Sequence, residues 1–376
     1  MKILHLVGQR EDFGGILSVI RSLHQVGPVE RYQHTVWVHR DYLETRRPAL
    51  DYRRGCFIIS DSPSHLAIFL TSALAFFGLR RLAKREAFDV IHAHTRGGLV
   101  VALLVAWFMR RNVLFTNHTF ANRTGFYRWV AKRKRVTSVL LNPAMARHYD
   151  MMIAEPSRWI VFSGCADRFL EEPLGANAWP SADPKAKLRL VGMGSIVRWK
   201  GWNLPIQALA KLPQELRDRV EFHLWGPEQQ DADAQAFVRE LREFVEKNEL
   251  QKSVFLHGST NEVVASLQSG HFVVVASESE PCSVSLMESL ALGLPALAAR
   301  SGGNVDIVRD GETGVLFESG SEDDLAAKLV SVLNGEITLC TPAEIRESVR
   351  GWAASAMTEK YNRIYDHMAQ LNSTKS

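Results

Sequence analysis

The chain has 376 residues, too many for one ordinary hydrophobic core, so two domains are expected. Hydrophobic residues make up 46% and charged residues 23%, which excludes a disordered chain. The formal net charge is only +4, yet Val90 to Tyr149 holds no Asp or Glu and ten Lys and Arg, which points to an anionic partner for the first half.

The opening MKILHLVG reads as a strand and is too short an apolar run for a secretory signal. FGGILSV (13–19) follows, with Gly14 and Gly15 before the helical stretch GILSVIRSLHQV. A glycine pair lets the backbone approach a ligand, and a helix start offers free N–H groups to phosphate; a plain strand-to-helix turn has the same look. Strands are expected at HTVWVHR (34–40) and CFIIS (56–60). LAIFLTSALAFFGLRRLAKR (66–85) then puts a 14-residue apolar run before Arg80, Arg81, Lys84 and Arg85. It falls short of the roughly 18 apolar residues that span a bilayer. Together with the aromatic and basic FYRWVAKRKR (126–135), it suits an anionic membrane surface. A core-packed helix with a solvated end reads alike, and no nucleic-acid motif accompanies the basic residues.

FDVIHAHTRGG (88–98) is a strand ending in glycines, with His92 and His94 on one face. His92 fits a satisfied core histidine. His94 and Thr95 stand at the carboxyl rim, where open α/β sheets gather ligands, and so does His118 at the end of VLFTNH (113–118). No third ligand has suitable spacing, so no metal is expected. After SVLLN (138–142) and WIVFS (159–163) comes EEPLGANAWPSADPKAK (171–187), with three prolines and no apolar periodicity, read as a linker.

A second series of strands follows: LRLVGMG (188–194), VEFHLWG (220–226), VFLHG (254–258), HFVVVAS (271–277), PALAA (295–299) and GVLF (314–317). Runs this apolar suit parallel strands covered on both faces, and the alternation with helices suits two doubly wound sheets. In GMGSIVRWKGWNLPIQAL (192–209), Arg198 and Lys200 precede a glycine and a helix, a context for a diphosphate. In ESEPCSVSLMESLALG (278–293), a helix is expected to begin near Ser283 to Ser285, and Ser285 with Glu288 fits a capping box. Glu280 has no such local explanation and sits at the strand rim. The tail 346–368 reads as helical. Cys56, Cys165, Cys282 and Cys340 are far apart without a CxxC, so reduced thiols are expected.

Taken in order, MKILHLV…GG, FDVIHAHT, the TNH strand end, WKGW…ALA, GPE (226–228), VFLHG, the Glu280-x7-Glu288 segment with ALGLPALA, and GGNVDIV…GETGVLF resemble the retaining glycosyltransferases of family 4. The resemblance implies a GT-B fold: two Rossmann-like, doubly wound parallel-sheet domains facing across a cleft. The acceptor-binding domain would span 1–170, the linker 171–187 and the nucleotide-sugar domain 188–352, with a C-terminal helix over about 353–376 packing back on the first. The implied reaction moves a hexose-type sugar from a nucleotide-diphosphate sugar, without metal or other cofactor.

Carried over by position, the resemblance implies Glu280 beside the donor sugar and Glu288 on the ribose hydroxyls. It implies Pro281, Cys282, Ser283 and Val284 approaching sugar and phosphate through their backbone, and Lys200 on the diphosphate. Gly14 and Gly15 would face the phosphates, and His118 would lie near the reaction centre. Where the family shows Gly-Arg, this chain has Gly194-Ser195, leaving Arg198 to replace that cation; Ser163 to Asp167 and Asp306 also depart from the pattern. The expected acceptor is a saccharide or lipid-linked saccharide in polysaccharide or lipopolysaccharide synthesis, with the enzyme cytoplasmic and peripheral at the inner face of the plasma membrane. A small sugar-phosphate acceptor, a nucleotide-sugar epimerase and a non-catalytic homologue are the alternatives; a nucleic-acid partner is not expected.

Overall fold

The structure, a computed structural model, describes residues 1–10, 12, 15–44, 49–55, 64–174, 183 and 186–373. The strand expected at 56–60, Gly14 and most of the linker stretch lie outside these residues. The chain divides into two compact units, Met1–Gly164 with Ala354–Ser376, and Cys165–Ala353.

The first unit holds seven described strands: β1 (Lys2–Leu6), β2 (Gln33–His39), β3 (Asp51–Gly55), β4 (Val90–Ala93), β5 (Val113–Asn117), β6 (Val136–Leu140) and β7 (Arg158–Ile160). They pair in the order β3-β2-β1-β4-β5-β6-β7, all parallel. Its helices are α1 (Gly15–Val26), α2 (His65–Arg85), α3 (Arg96–Phe108), α4 (Gly125–Ala131) and α5 (Pro143–His148). β3, sequence DYRRG, has no apolar run to announce it. It lies at the sheet edge, where one side needs no partner and charge is favoured. Arg53 pairs there with Asp51 and with Glu86 beyond α2.

The second unit repeats the plan with helices α6 (Arg168–Glu171), α7 (Asn203–Lys211), α8 (Gln214–Arg217), α9 (Ala232–Lys247), α10 (Val263–Gln268), α11 (Val284–Ala291), α12 (Asn304–Ile307), α13 (Glu322–Leu333) and α14 (Pro342–Val349). Its strands are β8 (Leu188–Met193), β9 (Val220–Trp225), β10 (Val254–Gly258), β11 (Phe272–Val275), β12 (Ala296–Ala299) and β13 (Gly314–Phe317). The order is β10-β9-β8-β11-β12-β13, again all parallel. Leu190, Phe222, Val274 and Leu297 from the sheet pack with Leu209, Phe237 and Leu329 from the helices in one core. Each such side chain contributes about 1.5–3 kcal/mol on burial.

Both orders reverse direction once, between β1 and β4 and between β8 and β11. Such switch points are where open α/β sheets hold ligands, at the carboxyl ends of the strands. The tail expected as one helix is two. α14 opens with a capping box of Thr341 and Glu344, a 3-10 turn follows, and extended Ala353 separates it from α15 (Ala354–Ser373). Met357, Tyr361, Ile364, Tyr365 and Met368 of α15 share a core with Ile3, Val19 and Leu23 of the first unit.

α2 exceeds the sequence expectation: its stretch Leu66–Arg85 is long and apolar enough to cross a membrane by length and composition. The reason is that it is apolar on two sides. Ile68, Ser72, Ala75, Phe76 and Leu79 are buried, and Ser72 donates to the Gly97 carbonyl of α3. Leu66, Phe69, Leu70, Leu74 and Phe77 remain exposed.

Candidate active site

In the second unit, Lys200 and Glu280 lie 80 residues apart in sequence and meet at the switch point. Their Nζ and Oε2 atoms are 2.5 Å apart. Lys200 follows β8 and Glu280 follows β11, neighbours in the sheet. The turn at Gly201 makes the approach possible. Its φ is +70°, and a Cβ there would stand 2.4 Å from the Ala276 carbonyl oxygen. The Ser277 hydroxyl also donates to Glu280 Oε2 at 3.0 Å. From the other side, the Gly303 N–H donates to the Glu280 carbonyl at 2.9 Å, and the Ser301 hydroxyl to the Ser277 carbonyl at 2.7 Å. Glu280 is 9% exposed, whereas Glu278 is exposed, so two glutamates that look equivalent in sequence stand in different places.

Arg198 is not brought to this pair. Its guanidinium makes two hydrogen bonds to Glu240 of α9, at 2.8 and 2.9 Å, and lies over the Phe237 ring. The expectation that it replaces the missing arginine is corrected accordingly: a carboxylate on α9, invisible to local motif reading, already holds it.

Ser283, not Ser285, caps α11; its hydroxyl accepts from the Leu286 N–H at 3.3 Å. This corrects the capping-box expectation and frees Glu288 from a capping role. Glu288 falls on the second turn of α11, half-buried. Burial pushes its carboxyl up to about 7, against a smaller opposing pull from Arg168. A desolvated carboxylate favours hydroxyl donors, and it accepts no hydrogen bond from the described residues. Cys282 and Ser283 are buried at the start of α11, while Val284 is half-buried. Cys165, Cys282 and Cys340 are free thiols; burial pushes Cys165 up to about 12.

In the first unit, Gly15 begins α1 after β1, and a Cβ there would meet nothing within 4 Å. Thr95 caps α3: its hydroxyl accepts from the Gly98 N–H and donates to the Val7 carbonyl, both at 3.1 Å. Its hydroxyl is therefore committed to the fold rather than offered to an acceptor. His94 is 2% exposed, with both ring nitrogens engaged, and it lines a small hollow together with Thr95 and His118. His118 is half-buried and lines a small hollow with Ile16, Arg96, Asn117 and Thr119. Burial lowers it to about 4, so the ring is neutral near pH 7.

His5 and His34 escaped sequence reading. The only signal was a histidine inside an otherwise apolar strand. His5 is also the third histidine that spacing did not reveal: ligand atoms of His5, His92 and His94 lie within 4.8 Å of one another. Their ring nitrogens are spent on hydrogen bonds, however. His5 bonds His94 and His34, His94 bonds His118, and His92 bonds the hydroxyls of Tyr365 and Thr116.

Comparison with known proteins places these units. Residues 13–161 match the family model "Glycosyltransferase Family 4", and residues 177–351 match "Glycosyl transferases group 1". The sulfoquinovosyl transferase SQD2 of Arabidopsis thaliana is 37% identical over 105 residues, covering 27% of this chain and 19% of that protein. The D-inositol 3-phosphate glycosyltransferase of Corynebacterium glutamicum is 28% identical over 333 residues, covering 80% and 77%. The chain thus spans about a fifth of the first relative and about three quarters of the second. Among solved structures, the lipopolysaccharide outer core galactosyltransferase WaaB has a TM-score of 0.76 at 13% identity, covering 98% and 99% of the two chains. Anabaena Alr3699/HepE in complex with UDP has a TM-score of 0.75 at 18% identity, covering 98% and 100%.

Proposed function

Because the chain belongs to the family 4-type glycosyltransferases of GT-B fold, we propose that it moves a hexose-type sugar, with retention, from a nucleotide-diphosphate sugar to a saccharide or lipid-linked saccharide acceptor. The observation that carries this is the Lys200–Glu280 pair at a switch point, with a desolvated Glu288 on the helix that follows Glu280. The Lys200 ammonium has three donors and Glu280 takes one, which leaves capacity for phosphate oxygens. Neutralising charge on the departing diphosphate is the main task of the site, and Lys200 does it without a metal. Glu280 is placed to stabilise positive charge growing on the sugar, and Glu288 to accept the ribose hydroxyls. A phosphate oxygen takes the acceptor proton. Arg198 has no donor role in this proposal.

A thermal-shift screen of nucleotide sugars tests the reading, UDP-sugars first. A ligand at a hundred times its Kd stabilises by about 2.7 kcal/mol. Proton NMR of the product should show the donor's anomeric configuration. The proposal falls if no nucleotide sugar binds, or if transfer persists in Glu280→Ala.

The same reading places the enzyme at the cytoplasmic face of a membrane, in bacterial polysaccharide or lipopolysaccharide synthesis. Its support is a surface on the first unit. Trp107 and Phe108 at the end of α3 are 74% and 71% exposed, beside the free side of α2. Phe126 and Trp129 of α4 border a groove of about 580 Å³ with Phe69, rimmed by Arg133, Lys134 and Arg135. Contiguous exposed apolar side chains rimmed by cations are a feature of protein and membrane interaction sites. Each cation near an anionic bilayer adds about 1 kcal/mol. Vesicle co-sedimentation at low salt tests this, and no binding would sink it. A small phosphorylated acceptor is the second reading, favoured by the name of the Corynebacterium glutamicum relative.

A further inference from the structure

Four histidines from four neighbouring strands form one unbroken line. His34 lies in β2, His5 in β1, His94 just after β4 and His118 just after β5, in the order of the sheet. His34 Nδ1 meets His5 Nε2 at 2.9 Å, His5 Nδ1 meets His94 Nε2 at 2.9 Å, and His94 Nδ1 meets His118 Nε2 at 3.1 Å. Every link joins an Nδ1 to an Nε2. His118 Nε2 is thereby occupied, and Nδ1 is the nitrogen left to a ligand in the hollow.

We propose that His34, His5, His94 and His118 are a proton relay that carries a proton from the ligand-side nitrogen of His118 across the sheet, a reading that rests on glycosyl transfer at this site for its chemical use. Burial holds all four rings neutral: His5 and His94 sit well below the ordinary value, and His34 and His118 near 4. A neutral ring has one N–H, so each inner ring donates at one nitrogen and accepts at the other. The three bonds must therefore all point the same way. All four rings are then the Nδ1–H tautomer together, or the Nε2–H tautomer together.

The two states differ by one proton's passage. In the Nε2–H state, His118 Nδ1 is a bare acceptor. When it takes a proton, His118 Nε2–H passes to His94 Nδ1, His94 Nε2–H to His5 Nδ1, and His5 Nε2–H to His34 Nδ1. The proton on His34 Nε2 then passes to solvent water; after the ligand leaves, the reverse passage takes a proton from water at His34 Nε2, releases the His118 Nδ1 proton into the open hollow and restores the line. One proton enters, one leaves, and no ring stays charged. The proton supplied is one given up by a ligand in the hollow, such as the acceptor-hydroxyl proton that glycosyl transfer sets free. Beyond His34, the His24 ring of half-buried α1 stands edge-on at 6.4 Å, and its Nδ1 is buried without a partner. The other groups facing the line are His92 from β4, Tyr361 and Tyr365 from α15, Tyr32 before β2, and Arg96 of α3 in the hollow. No carboxylate appears among these described residues to trap the proton. His92 packs on His94 with centroids 3.9 Å apart and the rings tilted by 36°, but its nitrogens serve Tyr365 and Thr116, so it props the line without joining it.

The test is a long-range 15N–1H correlation on the full chain labelled at its 13 histidines, assigned by single substitutions. His34, His5, His94 and His118 should all be neutral at pH 7 and share one tautomer. His5→Gln keeps a polar bridge but cannot pass a proton on; it should uncouple the His34 tautomer from that of His118. In turnover it should lower kcat about tenfold or more, leave the donor KM unchanged and alter the solvent deuterium effect. Mixed tautomers in the native protein, a charged ring in the line at pH 7, or an unchanged kcat in His5→Gln would each overturn the relay. The tautomer measurement needs no turnover. A protein that transfers no sugar but shows four matched tautomers would end the glycosyl-transfer reading and leave the relay standing.

Discussion

Replacing Glu288 by glutamine isolates the cost of holding a carboxyl on α11 away from water. Its value rises from 4.5 to about 7 through burial, with Arg168 opposing weakly. Because the folded value lies above the unfolded one, the folded state binds more protons between these limits. This contribution to stability is intact below pH 4.5, falls as pH rises to about 7, and is flat above. Full desolvation over that interval corresponds to about 3 kcal/mol. Glu288 is only half-buried, which reduces the expected cost to about 1–2 kcal/mol. Glutamine mimics the protonated acid, so Glu288→Gln should match the native protein at pH 4.5 and exceed it at pH 8. A unit of this size responds by about 2–4 °C per kcal/mol in paired thermal melts. The ribose assignment adds a second arm. If hydroxyls bind the carboxylate form, donor affinity should weaken as pH falls below about 7, and this dependence should vanish in the variant. A melting difference identical at pH 4.5 and 8 would refute the desolvation argument.

Lys200→Met should abolish detectable donor stabilisation in a thermal-shift assay. It should also destabilise the fold by about 1–3 kcal/mol, because Glu280 keeps only the Ser277 hydroxyl on its paired oxygen. Gly302→Ala places a Cβ 2.4 Å from the Glu280 carbonyl oxygen at φ +54°; activity should fall with a loss of about 1–3 kcal/mol in denaturant melts. The double change Phe77→Glu, Trp107→Glu should end vesicle binding while moving stability by less than about 1 kcal/mol, since both side chains are exposed. Ser283→Ala should cost about 1 kcal/mol through the lost cap, whereas Ser285→Ala should cost less, as circular-dichroism melts would show.

Much of the fold was legible because its signals are local. Strands such as FVVV and ALAA in central positions must be apolar on both faces, and the glycines and prolines between them mark the turns. Edge strand β3 was not legible, because an edge needs no such run. In the tail, the local pattern gave helix over 346–368 without a break, whereas the resemblance gave a C-terminal helix from about 353, and α15 begins at Ala354. Glu280 stood out because no local rule accounted for it, and it proved to be held from three sides. For Glu288 the local rule was misleading: Ser285 with Glu288 has the form of a capping box, yet Ser283 won the cap.

Sequence alone determined the βαβ alternation, the rim position of Glu280 and the family. These depend on residue type and short spacing, which the chain carries everywhere. Tertiary structure alone decided the partners. Lys200 finds Glu280 across 80 residues, Arg198 is claimed by Glu240 across 42, and His5 finds His94 across 89. A side chain's partner depends on which strands become neighbours and on what water leaves behind, and neither is written in local spacing. The same holds for charge: a glutamate reads as an ordinary acid until folding removes its water, and a histidine as a titrating base until burial makes it neutral.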